Sequence, residues 1–406
     1  MSIKVLIAGG GVGGLAAALA CARAGHAVQL FERAPVFAEI GAGIQLGPNV
    51  TRILHGWGLH KPLEAVAAYP DRLQARDAIS GRTLGTLRLG DTSLARYGAP
   101  YATVHRADLH SLLAHAVAAA DRVTVQLDST IDRYEQQGTA ITATTVRGER
   151  HQGDVLVGAD GLHSRVRQQM LNDGAPQPTA HLAYRALISQ SSLPAGLRSN
   201  SVTAWLGPHL HVVQYPVRGG EWLNVVAFIA ARQQGATAQA NDWDQAASTT
   251  TLQAAMRGAC KPLGDLIYAI DIWRAWPVCH RRPMQGPHEQ ALGRVALLGD
   301  AAHPMLPYLA QGGGMAIEDA HALGWALQQG LQDKLDVPAD VSQALQAYAT
   351  ARWARNARVQ RRASRNAQIF HATGLMARGR NLSMKLLGER LMDMPWLYNG
   401  AVPAGR

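Results

Sequence analysis

The amino-acid sequence predicts an α/β protein. The pieces of a parallel sheet are split along the chain, an antiparallel sheet is inserted between them, and the C-terminal end is helical. Three observations predict this. An apolar run, Ile3–Ala8, leads through glycines into an Ala- and Leu-rich stretch, Gly13–Arg23, and then into a second run, Ala27–Glu32. Buried-type runs recur at Asp154–Val157 and Arg294–Leu298, each ending in a turn that contains Gly and Asp. Between these two, from about Ala180 to Ile229, short runs alternate, as in a sheet with one covered face.

The first element reads as a βαβ unit. Small apolar residues suit a helix lying on a sheet, and Gly25 stands where the helix should end. Asp108 reads as the cap of a helix running to Ala119, and strand-like runs follow at Val123–Leu127 and Ala140–Val146. A helical stretch is expected at Trp243–Arg257, another from about Gly313 to Gln329, and a long one from Val341 onward.

Bulk properties narrow the class. With 406 residues, 47% hydrophobic and 17% charged, the chain can bury two or three packed domains, and wholesale disorder is excluded. The net charge of +10 favours anionic partners or serves only solubility. Cys21, Cys260 and Cys279 are far apart, so neither a disulfide framework nor a metal site is expected. The N-terminus lacks the basic and apolar regions of a signal peptide, and no stretch reads as a transmembrane segment. A cytoplasmic protein is the expectation.

Gly9-Gly10-Gly11-Val12-Gly13-Gly14 contains G-x-G-x-x-G at Gly9, Gly11 and Gly14. The first glycine permits a tight turn, the second lets a pyrophosphate approach the backbone, and the third lets helix and strand lie close. The helix N-terminus adds free N–H groups and a positive dipole. Glu32, at the end of the next strand, is placed to accept from adenosine ribose hydroxyls. The unit is Rossmann-like, and by itself it fits NAD or FAD.

Two further turns bear on that choice. Gly299-Asp300-Ala301-Ala302-His303-Pro304 follows the run Arg294–Leu298, and Gln311-Gly312-Gly313-Gly314 then opens a helix. Asp300 can accept from a ribityl hydroxyl, or can serve only as an N-cap. The helix N–H groups can face a flavin edge where negative charge develops on reduction. Asp160-Gly161-Leu162-His163-Ser164-Arg165 again ends a strand and begins a helix. Asp160 can accept from a ribose hydroxyl or from its own helix, and Arg165 can reach a pyrophosphate or merely bridge two loops.

These three elements, in this order, resemble the single-component flavoprotein aromatic hydroxylases. That group includes the p-hydroxybenzoate, salicylate, 3-hydroxybenzoate and 6-hydroxynicotinate monooxygenases. Ile40–Asn49 and His105-Arg106-Ala107-Asp108-Leu109 resemble the salicylate-type subgroup. The resemblance implies a p-hydroxybenzoate hydroxylase-like fold with an inserted substrate domain. FAD-binding segments would be 1–70, 100–178 and 280–335, substrate-binding segments 71–99 and 179–279, and the C-terminal helical region 336–406. In the family FAD stays bound, NAD(P)H reduces it and leaves, and a C4a-hydroperoxide transfers oxygen from O₂ to a phenol. The implied FAD contacts are Gly9, Gly11, Gly14, Glu32, Arg33, Arg106, Asp160, Asp300, Gly312 and Gly313, with Pro307 against the flavin ring. The salicylate-type subgroup implies NADH rather than NADPH. A flavin oxidase or reductase that inserts no oxygen would use the same FAD motifs, and so would a 6-hydroxynicotinate-type hydroxylase of N-heteroaromatic rings.

Hydroxylation of this kind needs an activated phenol, and a positioned base that removes its proton is typically worth about 10²–10⁴-fold. His is the usual base near neutral pH. In the run His209–Pro216, residues 209, 211, 213 and 215 share one face. His211 and Tyr215 would stand about 13 Å apart and could bracket a small aromatic ring. The pair is similar to one in the 3-hydroxybenzoate and 6-hydroxynicotinate hydroxylases, where His is the proposed base and Tyr hydrogen-bonds substrate. Pro307 fits the salicylate type instead. His303 is the rival base, which the resemblance makes structural, and Gln45 could meet substrate.

Arg352, Arg355, Arg358, Arg361, Arg362 and Arg365 form a basic band on the long helix. Too few aromatics are interleaved for a nucleic-acid site, so a solvated face or an inter-subunit contact is expected, and a homodimer is left open. The expected partners are a small aromatic carboxylate and O₂.

Overall fold

The computed structural model describes residues 2–37, 42–230, 245–246, 249–331 and 340–400. Ile40 and Gly41 of the Ile40–Asn49 motif lie outside these, as do Trp243 and Asp244 of the expected helical stretch, whose described helix is Thr249–Ala255.

Six strands form a mostly parallel sheet in the order Ala291–Leu292, Val295–Leu297, Val155–Gly158, Lys4–Ala8, Ala27–Phe31, Val123–Gln126. Its central strands are buried on both faces and read as continuous apolar runs for that reason. Lys4–Ala8 pairs with Ala27–Phe31 on one side and with Val155–Gly158 on the other. The chain therefore winds in opposite directions from this strand, and a crevice opens at its carboxyl end, where ligands of such sheets bind. The helices Val12–Arg23 and Gly312–Gly330 pack on one face and on each other. They meet closely at Gly324, where a Cβ would stand 2.9 Å from the Ala20 carbonyl oxygen.

An eight-stranded sheet takes strands from two distant stretches. Its order is 245–246, Arg274–His280, Gln177–Ser189, Trp222–Ala230, Leu210–Val217, Val202–Gly207, Arg72–Asp77, Thr83–Arg88. All pairs are antiparallel except Val202–Gly207 with Arg72–Asp77. One face of this sheet (Trp205, Leu210, Val212, Val225 and Ala227) packs on Leu252, Leu263, Leu266 and Ile267. The period of two then puts His211, Val213, Tyr215, Val226 and Phe228 on the other face.

The long helix is Val341–Phe370, with Asp340 capping it through Ser342 N–H. Two expectations need correction. Asp108 is not a cap: the helix is Arg106–Ala118, its N-cap is His105, and the Asp108 carboxylate accepts from Arg218 at 2.8 and 3.0 Å. Nor is the arginine band a solvated face throughout. Arg352 is 1% exposed, because the helix crosses two buried carboxylates that the sequence separates from it by more than thirty residues.

Candidate functional site

The glycine turn shows a separate reason for each glycine. Gly9 has φ +102°, in the left-handed region. A Cβ on Gly14 would stand 1.8 Å from the Gly9 carbonyl oxygen, while nothing lies within 4 Å of the corresponding point on Gly11. The helix beyond has no side-chain cap and no acid in its first turn, so its N–H groups remain available to an anion. The Glu32 carboxylate accepts from Gly10 N–H at 2.6 Å and from Ala34 N–H at 2.8 Å, so it braces the turn it follows. His110 adds a contact to the Gly10 carbonyl oxygen at 2.8 Å. Arg33 is exposed.

Asp160 lies against the same turn, since a Cβ on Gly9 would come within 2.9 Å of its Cα. Its carboxylate accepts from Ser164 Oγ and from the N–H groups of Arg165 and Val166. Burial nevertheless raises its carboxyl above the usual range. Arg165 bridges to Asp132 at 2.5 Å.

The turn at Gly299 is held from behind. Asp319 accepts from Gly299 N–H at 3.2 Å and meets His303 Nε2 at 2.5 Å. His303 is buried against Asp319 and is not among the residues that line the cavity described next, whereas His211 is. Arg352 donates to Asp319 at 2.7 Å and to Glu318 at 2.8 Å, and Arg355 donates twice to Glu318 at 2.7 Å. Burial pushes both carboxyls up, but the His303 and Arg352 charges hold Asp319 below the usual range, and Arg352 and Arg355 do the same for Glu318. Asp300 itself is exposed and makes no hydrogen bond among the described residues; the cap position of its 3₁₀ turn is Leu298.

In front of this turn is a cavity of about 750 Å³. Arg106, Asp300, Pro307, Gly312 and Gly313 line it on one side. His211, Val213, Tyr215, Val226 and Phe228 line it from the antiparallel sheet. Gln45 also faces it and accepts from Tyr101 Oη–H at 2.6 Å. The helix Gly312–Gly330 reaches the cavity with no side-chain cap and with nothing within 4 Å of a Cβ on Gly312. The turn at Gly9–Gly14, the braced Asp160 loop, the free Asp300 carboxylate and this open helix end together fit an extended dinucleotide carrying a flavin.

His211 is 2% exposed, and neither ring nitrogen finds a hydrogen-bond partner among the described residues. It stacks on Phe228 at 5.4 Å and 13°, and packs against Phe370 at 4.9 Å. Burial holds its imidazole well below the ordinary value, and His371, His181 and Arg380 add to the effect. The ring is therefore neutral near pH 7 and has a nitrogen free to take a proton. Tyr215 donates its hydroxyl proton to the Gly43 carbonyl at 2.6 Å, so toward a ligand it offers oxygen lone pairs. Sequence reasoning missed Tyr308, whose hydroxyl contacts His181 Nδ1 at 2.8 Å and whose ring lies 5.8 Å from His211. It sits one residue beyond Pro307, and no pattern marks it.

The model of the FAD binding domain family matches residues 2–363. The chain is 38% identical to a 3-hydroxybenzoate 6-hydroxylase of Polaromonas naphthalenivorans, over 98% of this chain and 96% of that one. It is 33% identical to a 6-hydroxynicotinate 3-monooxygenase of Bordetella bronchiseptica, over 88% of this chain and 90% of that one. A solved salicylate hydroxylase substrate complex superposes with a TM-score of 0.81 at 25% identity, covering 100% of this chain and 99% of that one. No helix among the described residues is long and apolar enough to cross a membrane.

Proposed function

This chain belongs to the FAD binding domain family and is a flavoprotein monooxygenase, and we propose that its substrate is a phenolic aromatic acid of the 3-hydroxybenzoate or salicylate kind. The observation that carries this reading is His211, a buried imidazole without a hydrogen-bond partner among the described residues, lining the same cavity as Asp300, Pro307 and Gly312. A phenol hydroxyl is the group that such a nitrogen would satisfy. The names of two relatives, 3-hydroxybenzoate 6-hydroxylase and 6-hydroxynicotinate 3-monooxygenase, support a small hydroxylated ring acid.

In this reading Gly9, Gly11, Gly14, Glu32, Arg33, Arg106, Asp160, Asp300, Gly312 and Gly313 hold FAD. Segments 1–70, 100–178 and 280–335 form the cofactor-holding unit, and 71–99 with 179–279 the substrate-holding unit. The bound flavin, reduced by a pyridine nucleotide, supplies the activated oxygen; NADH is the expected donor. His211 takes the phenol proton and thereby raises electron density at the ring carbons ortho and para to the oxygen. Tyr215 and Gln45 orient the ring through lone pairs and an amide, and Val213, Val226, Phe228 and Pro307 keep water from the reacting face.

The test is a screen of phenolic acids with purified holoprotein. NADH oxidation is read against product mass under ¹⁸O₂. One acid should both stimulate oxidation and gain a single ¹⁸O atom. NADH oxidation yielding only peroxide with every acid would refute the hydroxylase reading.

A further inference from the structure

The cavity carries two cations, Arg362 and Arg365, that no described residue neutralises. One face of the helix Val341–Phe370 turns Arg362, Arg365, Asn366, Ile369 and Phe370 into it, the spacing of a single helical stripe. Arg352 and Arg355 on the same helix have carboxylate partners, Arg358 lies 4.0 Å over the Trp396 ring, and Arg361 is exposed and does not line the cavity. Arg362 is half-buried and has no hydrogen bond, ion pair or ring contact among the described residues, and neither does the exposed Arg365. Burial and the like charge of Arg365 both lower the Arg362 guanidinium below its ordinary value. Asp300 is the only carboxylate lining the cavity among the described residues. Two adjacent guanidinium groups, one partly out of water, repel each other; a shared oxyanion converts that repulsion into charge-assisted hydrogen bonds.

We propose that Arg362, with Arg365, anchors the carboxylate of the aromatic acid whose phenol end lies at His211. This rests on the functional reading above. His211 packs against Phe370, which lies five residues beyond Arg365 and eight beyond Arg362, about 7.5 and 12 Å along a helix axis, a span that an extended guanidinium side chain shortens. One small ring acid can thus run along the helix from a cationic end to a basic nitrogen. The specificity for acids would then come from the C-terminal helix, and the phenol chemistry from the sheet. A pyridine-nucleotide pyrophosphate presents the same oxyanion chemistry and is the competing occupant.

The probes are benzoate and its neutral counterpart benzamide, titrated into FAD-loaded protein while flavin absorbance is followed. Wild-type protein should bind benzoate saturably. Arg362→Gln should weaken benzoate about tenfold to hundredfold, the range of a lost charged hydrogen bond. Benzamide affinity and the KM for NADH should not change. Arg362→Lys should recover part of the loss, and Arg365→Gln, at an exposed position, should show a smaller loss in the same direction. The inference is overturned if wild-type protein does not bind benzoate, or if benzoate and benzamide weaken equally. It is also overturned if only the KM for NADH rises, which would make the pair a pyrophosphate site. Selective loss of benzoate in a protein that hydroxylates no phenolic acid would leave the anchor standing and refute the hydroxylase reading alone.

Discussion

Replacing His211 by Phe separates chemistry from stability. The imidazole is 2% exposed, stacked on Phe228 and packed on Phe370, and a phenyl ring keeps both contacts. The substitution removes two ring nitrogens that have no hydrogen-bond partner among the described residues. A buried polar group left unsatisfied costs about 1–3 kcal/mol, so the variant should be more stable by about that much. The slightly larger ring meets open cavity rather than packed core. Hydroxylation should nevertheless fall by about 10²–10⁴-fold, the usual contribution of a positioned base. The remaining rate should climb about tenfold per pH unit toward pH 10, because a phenol with a pKa of about 10 then ionises unaided. Wild-type rate should stay flat over the same range, since burial keeps its imidazole neutral. Urea unfolding gives the stability, and product mass at saturating substrate and NADH gives the rate. A variant that loses stability and FAD together would show His211 to be structural. A residual rate that ignores pH would show that proton removal is not its task.

Other outcomes follow from the supports of the site. Arg352→Met leaves Glu318 and Asp319 buried without their shared cation and should cost about 3–5 kcal/mol in urea unfolding; a loss below about 1 kcal/mol would show that Arg355 and His303 suffice. Gly14→Ala forces a methyl group to within 1.8 Å of the Gly9 oxygen, so the purified variant should be colourless although folded by circular dichroism; full flavin occupancy would contradict the turn geometry. Stability should decline as pH falls from about 6.5, where an unfolded histidine begins to charge, because burial pulls His371 down to about 4 and His211 lower than its ordinary value. A second loss should follow once pH drops below the usual carboxylate range, because Glu318 and Asp319 are held below it in the folded state. A His371→Phe variant that kept the full upper slope would count against the first part.

The sequence made some of this legible and hid the rest for physical reasons. The turn at Gly9–Gly14 can be read because backbone geometry is local: a left-handed φ and a helix against its own strand need no distant residue. The shared face of His211 and Tyr215 can be read because a strand's period is two. Arg352 could not be placed that way. Helical spacing says which arginines share a stripe, but not that Glu318 and Asp319 lie under one part of it and a cavity under another. Tyr308 and Arg362 face that cavity from separate elements, and only tertiary packing brings them together. An acid in a first turn, such as Asp108, looks like a cap until its partner, Arg218, folds in from 110 residues away.

Asp319 holds Gly299 and His303 on one side and Arg352 on the other. This has a consequence for synthesis. The glycine turn leaves the ribosome more than three hundred residues ahead of Arg352, and until the helix that carries Arg352 has emerged the Asp319 that braces the turn at Gly299 lacks one of its partners. At ordinary translation rates that interval is tens of seconds. A nascent chain would present the adenine end of its binding site throughout that interval without a fully braced turn at the other end, so cofactor loading should await the helix that carries Arg352.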